Sequence, residues 1–148
     1  MNLIFKNFEV KPLAEFIHSF TLKGKKSRWR TKFYNVLARH YNDVNAFENK
    51  LIEDYATRVN GEIVYLNEEK TRVEMDDDSK EEYFKQLTIL MNEKLTIECN
   101  ELNRELLISN ANILLDGEFD VPPEIAGLYD IWCDKFEEVV KYYEGLED

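Results

Sequence analysis

The chain has 148 residues, of which 44% are hydrophobic and 13% aromatic, and it contains only 5 Gly and 3 Pro. This length is typical of one domain with a buried core, and the composition is too apolar for a disordered acidic tail. The formal net charge of -11 repels nucleic-acid phosphates at long range and favours basic partners.

Two further features concern the compartment. Cys99 and Cys133 form no C-x-x-C pair, and the N-terminus MNLIFKNFEV lacks the apolar run of a signal peptide. No window approaches the roughly 18 consecutive apolar residues that a membrane span needs. We therefore expect a reduced, cytoplasmic protein without a membrane span.

The first predicted elements are a strand and a helix. Apolar residues in NLIFKNFEV (2–10) recur at a period close to two, which predicts a strand or bent strand. In KPLAEFIHSF (11–20) the proline suits a first helical turn, and the apolar residues from Leu13 to Phe20 have helical spacing. We expect Gly24 to end this helix.

A long helix is predicted from about Ser27 to Arg58. Its apolar residues alternate steps of four and three, which is the spacing of three heptads on an a/d seam, and Trp29 and Tyr55 extend the two ends. The residues of this seam are Phe33, Leu37, His40, Val44, Phe47 and Leu51.

The middle of the chain predicts a hairpin and a second helix. Asn60-Gly61 is expected to break the long helix, and EIVYL and TRVEM then read as the two strands of a hairpin. Asp76, Asp77 and Asp78 precede a helical pattern, and acids suit the positive end of a helix dipole.

The last third predicts one strand and two helices. KLTIEC (94–99) is the strand, the next helix closes at Asp116-Gly117, and Pro122-Pro123 precedes a C-terminal helix. No repeat or linker is visible. The whole chain, 1–148, is thus predicted to form one α+β domain, mostly helical, with a long helix, a small antiparallel hairpin or sheet and a C-terminal helix.

Charge is distributed unevenly along the chain. Residues 1–42 carry nine Lys or Arg against two acids, whereas residues 43–148 carry ten against 28. On a helical wheel, four basic side chains of the long helix fall within about 60° of one another and form a basic stripe. They are Lys25, Arg28, Lys32 and Arg39. The candidate residues for binding an anion or a partner are Lys23, Lys25, Lys26, Arg28, Trp29, Arg30, Lys32 and Arg39.

Two interpretations of the basic stripe stay open. Cations in the first turn of a helix interact unfavourably with the helix dipole, so we expect nearby negative charge to offset them. In the first interpretation the chain's own acids, such as Asp76 to Asp78, fold against the stripe and neutralise it. In the second, the stripe holds an anion, a phosphate backbone or an acidic partner, and Trp29 and Tyr34 are available for stacking. The candidate acidic partner surface is Asp76, Asp77, Asp78, Glu81 and Glu82.

Signatures of enzymes and metal sites are weak. LKGKKS (22–27) lacks the glycine-rich cradle of a phosphate-binding loop, and the acidic runs have neither the spacing nor the central glycine of a calcium loop. His40 is expected to be a partly buried, hydrogen-bonded side chain, oriented by Asp43, rather than a ligand or general base. We predict no enzyme activity, no cofactor and no metal.

Several segments together resemble a family. These are KGKKSRWRT (23–31), the stretch EEYFKQLTILMNEKLTIE that ends at Glu98, and the pattern that joins Leu114-Leu115 to Tyr129 and Trp132. They resemble a family of small proteins of unknown function from bacteriophages of Gram-positive bacteria (Firmicutes). The resemblance implies a phage accessory protein made in the cytoplasm of an infected host cell, and it brings no activity with it.

Three functional hypotheses follow. The first is a binding protein that inhibits or redirects a host protein with a basic surface, such as a restriction or CRISPR defence enzyme, through its acidic part. The second is a regulator that binds nucleic acid through the basic stripe. The third is a dimeric structural or assembly factor, although we expect a monomer core.

Overall fold

The computed structural model describes residues 1–147. It confirms the predicted α+β fold, mostly helical, with one long helix, a small antiparallel sheet and a C-terminal helix. In chain order the elements are β1 (Asn2–Lys6), α1 (Asn7–His18), α2 (Gly24–Tyr55), β2 (Arg58–Val59), β3 (Glu62–Ile63), α3 (Asp77–Asn92), β4 (Lys94–Glu98), α4 (Arg104–Asp116), a short 3-10 helix (Pro123–Ile125) and α5 (Ala126–Glu147).

The strands β1 and β4 pair antiparallel, with Leu3 opposite Ile97 and Phe5 opposite Leu95. Their inward side chains alternate with outward ones, and Leu3, Phe5 and Ile97 are buried in the core. The predicted first strand ran to residue 10, which is wrong, because the chain turns into α1 at Asn7. The strand predicted at KLTIEC (94–99) agrees with β4 to within one residue.

The start of α1 is fixed by Glu9. Its carboxylate accepts the backbone N–H of Lys6 at 2.7 Å, which closes the first turn, and Lys135 of α5 lies 3.3 Å from the same carboxylate. Pro12 therefore lies inside α1 and not in its first turn, contrary to the prediction. The sequence pattern missed this start because the N-cap residue is Lys6, which is not one of the Ser, Thr, Asp or Asn residues that mark a helix start.

The helix α2 begins at Gly24, with a φ of +59°, so this glycine starts the long helix and does not end α1. The real end of α1 is His18, followed by Ser19, whose hydroxyl donates to the Phe16 carbonyl at 2.6 Å. With 32 residues, α2 is about 48 Å long. It begins and ends three residues earlier than predicted.

The apolar seam of α2 is covered unevenly. Phe33 and Leu37 are fully buried against α1 and α4, and Val44 is buried further along, but Phe47 is 59% exposed. Beyond Val44 the helix α3 packs on α2. The first half of the seam is therefore satisfied within one chain, while part of the second half remains open.

Two tight connections follow α2. Asn60 and Gly61, with φ of +53° and +82°, form the turn between β2 and β3, which is the turn chemistry of a two-residue hairpin. The predicted hairpin of 62–66 and 71–75 is present only in part, as an isolated bridge between Tyr65 and Val73 and a hydrogen bond from the Leu66 N–H to the Arg72 carbonyl at 2.8 Å, because Glu62–Ile63 pairs instead with Arg58–Val59.

The C-terminal helix α5 completes the core. Trp132, Phe136, Val139 and Tyr143 recur at steps of three and four, and all are at most 1% exposed. The Tyr143 hydroxyl donates to the Asn100 carbonyl at 2.7 Å and joins α5 to the turn after β4. Among residues 1–147, no helix is both long enough and apolar enough to cross a bilayer.

Candidate binding surfaces

The first half of α2 carries an exposed basic stripe. Between Glu15 and Asp43 the chain has seven Lys or Arg and no acid, so the solvent face of this half-helix holds cations alone. The stripe extends from Lys25 to Arg39, which is about 21 Å of helix. Within the described part of the chain, no carboxylate lies within 4.0 Å of five residues of the predicted binding set, Lys23, Lys26, Arg28, Lys32 and Arg39.

One acid does reach the stripe from another helix. Glu105, in the first turn of α4, accepts a hydrogen bond from Lys25 at 2.7 Å, and this bond lowers the pKa of Glu105, with a second hydrogen bond from the Trp29 side chain. Both partners are more than half exposed. The pair therefore offsets one cation and leaves the rest of the stripe charged.

Trp29 and Tyr34, the aromatic residues near the stripe, each contact a neighbouring side chain. The Lys32 ammonium lies over the Trp29 ring at 4.3 Å, and the Tyr34 ring packs against His18 at 4.6 Å between centroids. Each ring therefore has one neighbouring side chain against it, and both rings are half-exposed.

Arg30 has a structural role. Its guanidinium donates to the Ile17 carbonyl at 3.0 Å, near the end of α1, and to the Phe20 carbonyl just beyond that end. It is half-buried and turned away from the other cations. Arg30 thus leaves the predicted binding set, because its donors bridge α1 and α2.

The predicted neutralisation of the stripe by Asp76, Asp77 and Asp78 does not occur. The Thr57 N–H donates to the Glu74 carbonyl at 2.7 Å, which holds these acids beside the C-terminal end of α2. The stripe lies at the opposite end of the same helix. The basic stripe and the acids 76–78 are therefore separated in space by most of the length of α2, as well as in sequence.

We call residues 43–82 the acidic arm. This segment contains 13 acids and five basic residues, a net charge of -8. From Asn45 to Glu82 no side chain is buried, although the segment includes eleven residues of α2, the hairpins and the start of α3. A stretch of this length without a buried side chain contributes little to the core.

The predicted acidic partner surface lies at the end of the acidic arm. Asp76 caps α3, because its carboxylate accepts the Ser79 N–H at 2.7 Å, and this bond holds the pKa of Asp76 below its ordinary value. Asp77, Asp78 and Glu81 are exposed, whereas Glu82 is half-buried and accepts a hydrogen bond from Gln86. Three of the five predicted acids therefore face solvent without a capping role.

His40 is partly buried and hydrogen-bonded, as predicted, but the residue that orients it is Asn7 and not Asp43. Its Nε2–H donates to Asn7 Oδ1 at 2.7 Å, and the Asn7 amide in turn donates to the Leu90 carbonyl at 2.7 Å. Burial lowers the pKa of His40, and Asp43 partly opposes this shift. His40 and Asn7 thus link α1, α2 and α3 at the base of the acidic arm.

Other reactive groups are held in structural positions. Cys99 and Cys133 are free thiols whose pKa values are raised by burial, which disfavours the thiolate. Within residues 1–147 no three His, Cys, Asp or Glu side chains are grouped so as to hold a metal ion. The described side chains offer charged and apolar surfaces for binding.

Comparison of the chain with protein-family models, with curated proteins and with solved structures found no match.

Proposed function

We propose that the chain is a stoichiometric binding protein that engages a protein with a basic surface through its acidic arm. The observation that carries this proposal is the arm itself, with its net charge of -8 and its 38 consecutive residues, 45–82, without a buried side chain. Charge of one sign on a projecting surface speeds encounter with the opposite charge and selects among partners.

The proposed partner is a host protein of an infected bacterium, in the cytoplasmic setting that the phage resemblance implies. Basic grooves are typical of enzymes that handle nucleic acid, including restriction and CRISPR defence enzymes. By covering such a groove, the acidic arm would compete with phosphate for the same cations. No chemical step is needed for this mode of action.

Affinity capture from host lysate with matched variants tests the proposal. The arm variant replaces Asp77, Asp78, Glu68, Glu69 and Glu81 by their amides, which leaves the Asp76 cap in place. We expect the wild type to capture a basic protein and the arm variant to lose it, with nuclease treatment having no effect.

The control variant replaces Lys26, Arg28 and Lys32 by glutamine in the basic stripe. We expect it to retain the captured protein. Capture that survives in the arm variant but is lost in this stripe variant, or after nuclease treatment, would refute the proposal.

One observation favours a second candidate, a nucleic-acid regulator. Lys26, Arg28, Lys32 and Arg39 are exposed and unpaired with acids in the described chain, which is the arrangement that contacts to a phosphate backbone require. A gel-shift titration at two salt concentrations tests it. Tight binding that falls steeply with salt and is lost in the stripe variant supports it, and the absence of any shift excludes it.

A further inference from the structure

An apolar groove runs along one side of α2 and α3, where the acidic arm joins the rest of the chain. Its floor is formed by Phe47 and Leu51 of α2 and by Ile89 and Leu90 of α3. The groove has a volume of about 360 Å³ and is open to solvent along its length. Phe47 and Ile89 are 59% and 56% exposed, so large apolar side chains meet water here.

The apolar surface continues past the groove onto the outer face of α3. Phe84, which is 55% exposed, lies with Thr88 and Ile89 on a shallow surface next to the groove. A Phe side chain exposes on the order of 200 Å² in full, so Phe47, Phe84 and Ile89 together present roughly 300 Å² of apolar area. Contiguous exposed area of this size marks an interaction site in many proteins.

We infer that this groove binds an amphipathic helix of the partner protein, with its apolar face on Phe47 and Ile89 and basic residues on its flanks. The inference rests on the proposed function and specifies how the partner is recognised. A helix presents apolar residues at i, i+3, i+4 and i+7, which suits a narrow groove between two packed helices.

Charge selects the flanks of the bound helix. The rim of the groove and its continuation carries Asp54, Glu81 and Glu93 against Lys50 and Lys85, a net charge of -1, and the acidic arm that forms part of this rim has a net charge of -8. A helix with Lys or Arg beside its apolar face is attracted by the net charge of the acidic arm, whereas an acidic helix is repelled.

The same charge disfavours a second copy of this chain as the occupant. Two copies joined at the groove would bring two arms of -8 together. The groove therefore fits a short basic segment better than it fits itself.

The test uses three synthetic 18-residue helical peptides and the full chain. The first has leucines at helical spacing with lysines on the flanks, the second has the same composition in scrambled order, and the third has glutamate in place of lysine. We expect the first to bind with a Kd in the micromolar range by isothermal titration calorimetry, and the other two to bind at least tenfold more weakly.

Two variants locate the binding. The groove variant, Phe47→Ser with Ile89→Ser, removes two exposed side chains and should weaken the first peptide at least tenfold, while circular dichroism shows an unchanged helix content. The control Leu102→Ser removes an apolar side chain that is 91% exposed but lies beside α4, and it should bind like the wild type.

Equal binding of the scrambled peptide, or unchanged binding by the groove variant, would overturn the inference. Concentration-dependent dimerisation that Phe47→Ser abolishes would also overturn it in favour of a second copy. If the groove variant still captures the host protein while the arm variant loses it, the groove inference fails and the proposed function stands.

Discussion

Reversing two charges at the start of α2 should not unfold the protein. Lys26 and Arg28 are exposed, have no carboxylate within 4.0 Å among residues 1–147, and occupy the first turns of a helix whose N-cap, Lys23, provides no side-chain hydrogen bond. A cation near a helix N-terminus opposes the dipole, and an anion there is favourable by about 0.3–1 kcal/mol per charge.

The double variant Lys26→Glu/Arg28→Glu should therefore raise the free energy of unfolding by about 1 kcal/mol, or leave it unchanged. The assay is urea unfolding followed by circular dichroism at low and at high salt, because screening should abolish the gain. Lys141→Glu is the matched control. It places the same charge reversal near the C-terminal end of α5, removes the 3.7 Å pair with Glu138, and should lower stability.

A loss of about 2 kcal/mol or more in the double variant would refute this reasoning. Such a loss would mean that Lys26 or Arg28 is paired with the chain's own acids, which is the internal neutralisation that the structure argues against. The basic stripe would then be part of the fold and not a free surface.

Two further predictions concern stability. Glu9→Gln should lower the free energy of unfolding by about 2 kcal/mol in urea titrations. Glu9 is only 4% exposed, and the substitution leaves the half-buried Lys135 without its counter-charge. The exposed control Glu144→Gln should change the free energy of unfolding by less than about 0.5 kcal/mol. His40 has a lowered pKa, so its neutral form is favoured on folding, and stability should fall as the pH drops through 6.5 toward the folded value. His40→Gln should flatten that part of the stability profile between pH 7 and 5, and an unchanged slope would assign the titration to another group.

Periodicity in the sequence predicted most of the elements, and it failed where an element begins. Two patterns were sufficient to predict which side chains are buried. These are the alternation of apolar residues in β1 and β4 and the three-four spacing of Trp132, Phe136 and Val139. The start of α1 is closed locally by Glu9, but its N-cap is Lys6, which is not one of the Ser, Thr, Asp or Asn residues that mark a helix start in a sequence.

The surfaces were less predictable than the fold. The sequence shows the basic stripe and the acidic residues, but only the antiparallel packing of α3 on α2 places them at opposite ends. Phe47 fits the seam as well as Phe33 does, yet it is 59% exposed, because α3 packs beside it and leaves the Phe47 side chain open to solvent. A seam pattern indicates which side chains face a neighbour and does not indicate whether a neighbour is present.

The distance between the basic stripe and the acidic arm tests the central claim most directly. Spin labels at Lys26 and Asp78, in a chain whose Cys99 and Cys133 are replaced by alanine, report this distance by double electron–electron resonance. The rise of α2 between the two ends predicts a single distribution near roughly 40 Å. A distribution at less than half that distance would place the acids against the cations and contradict the account of two separate surfaces.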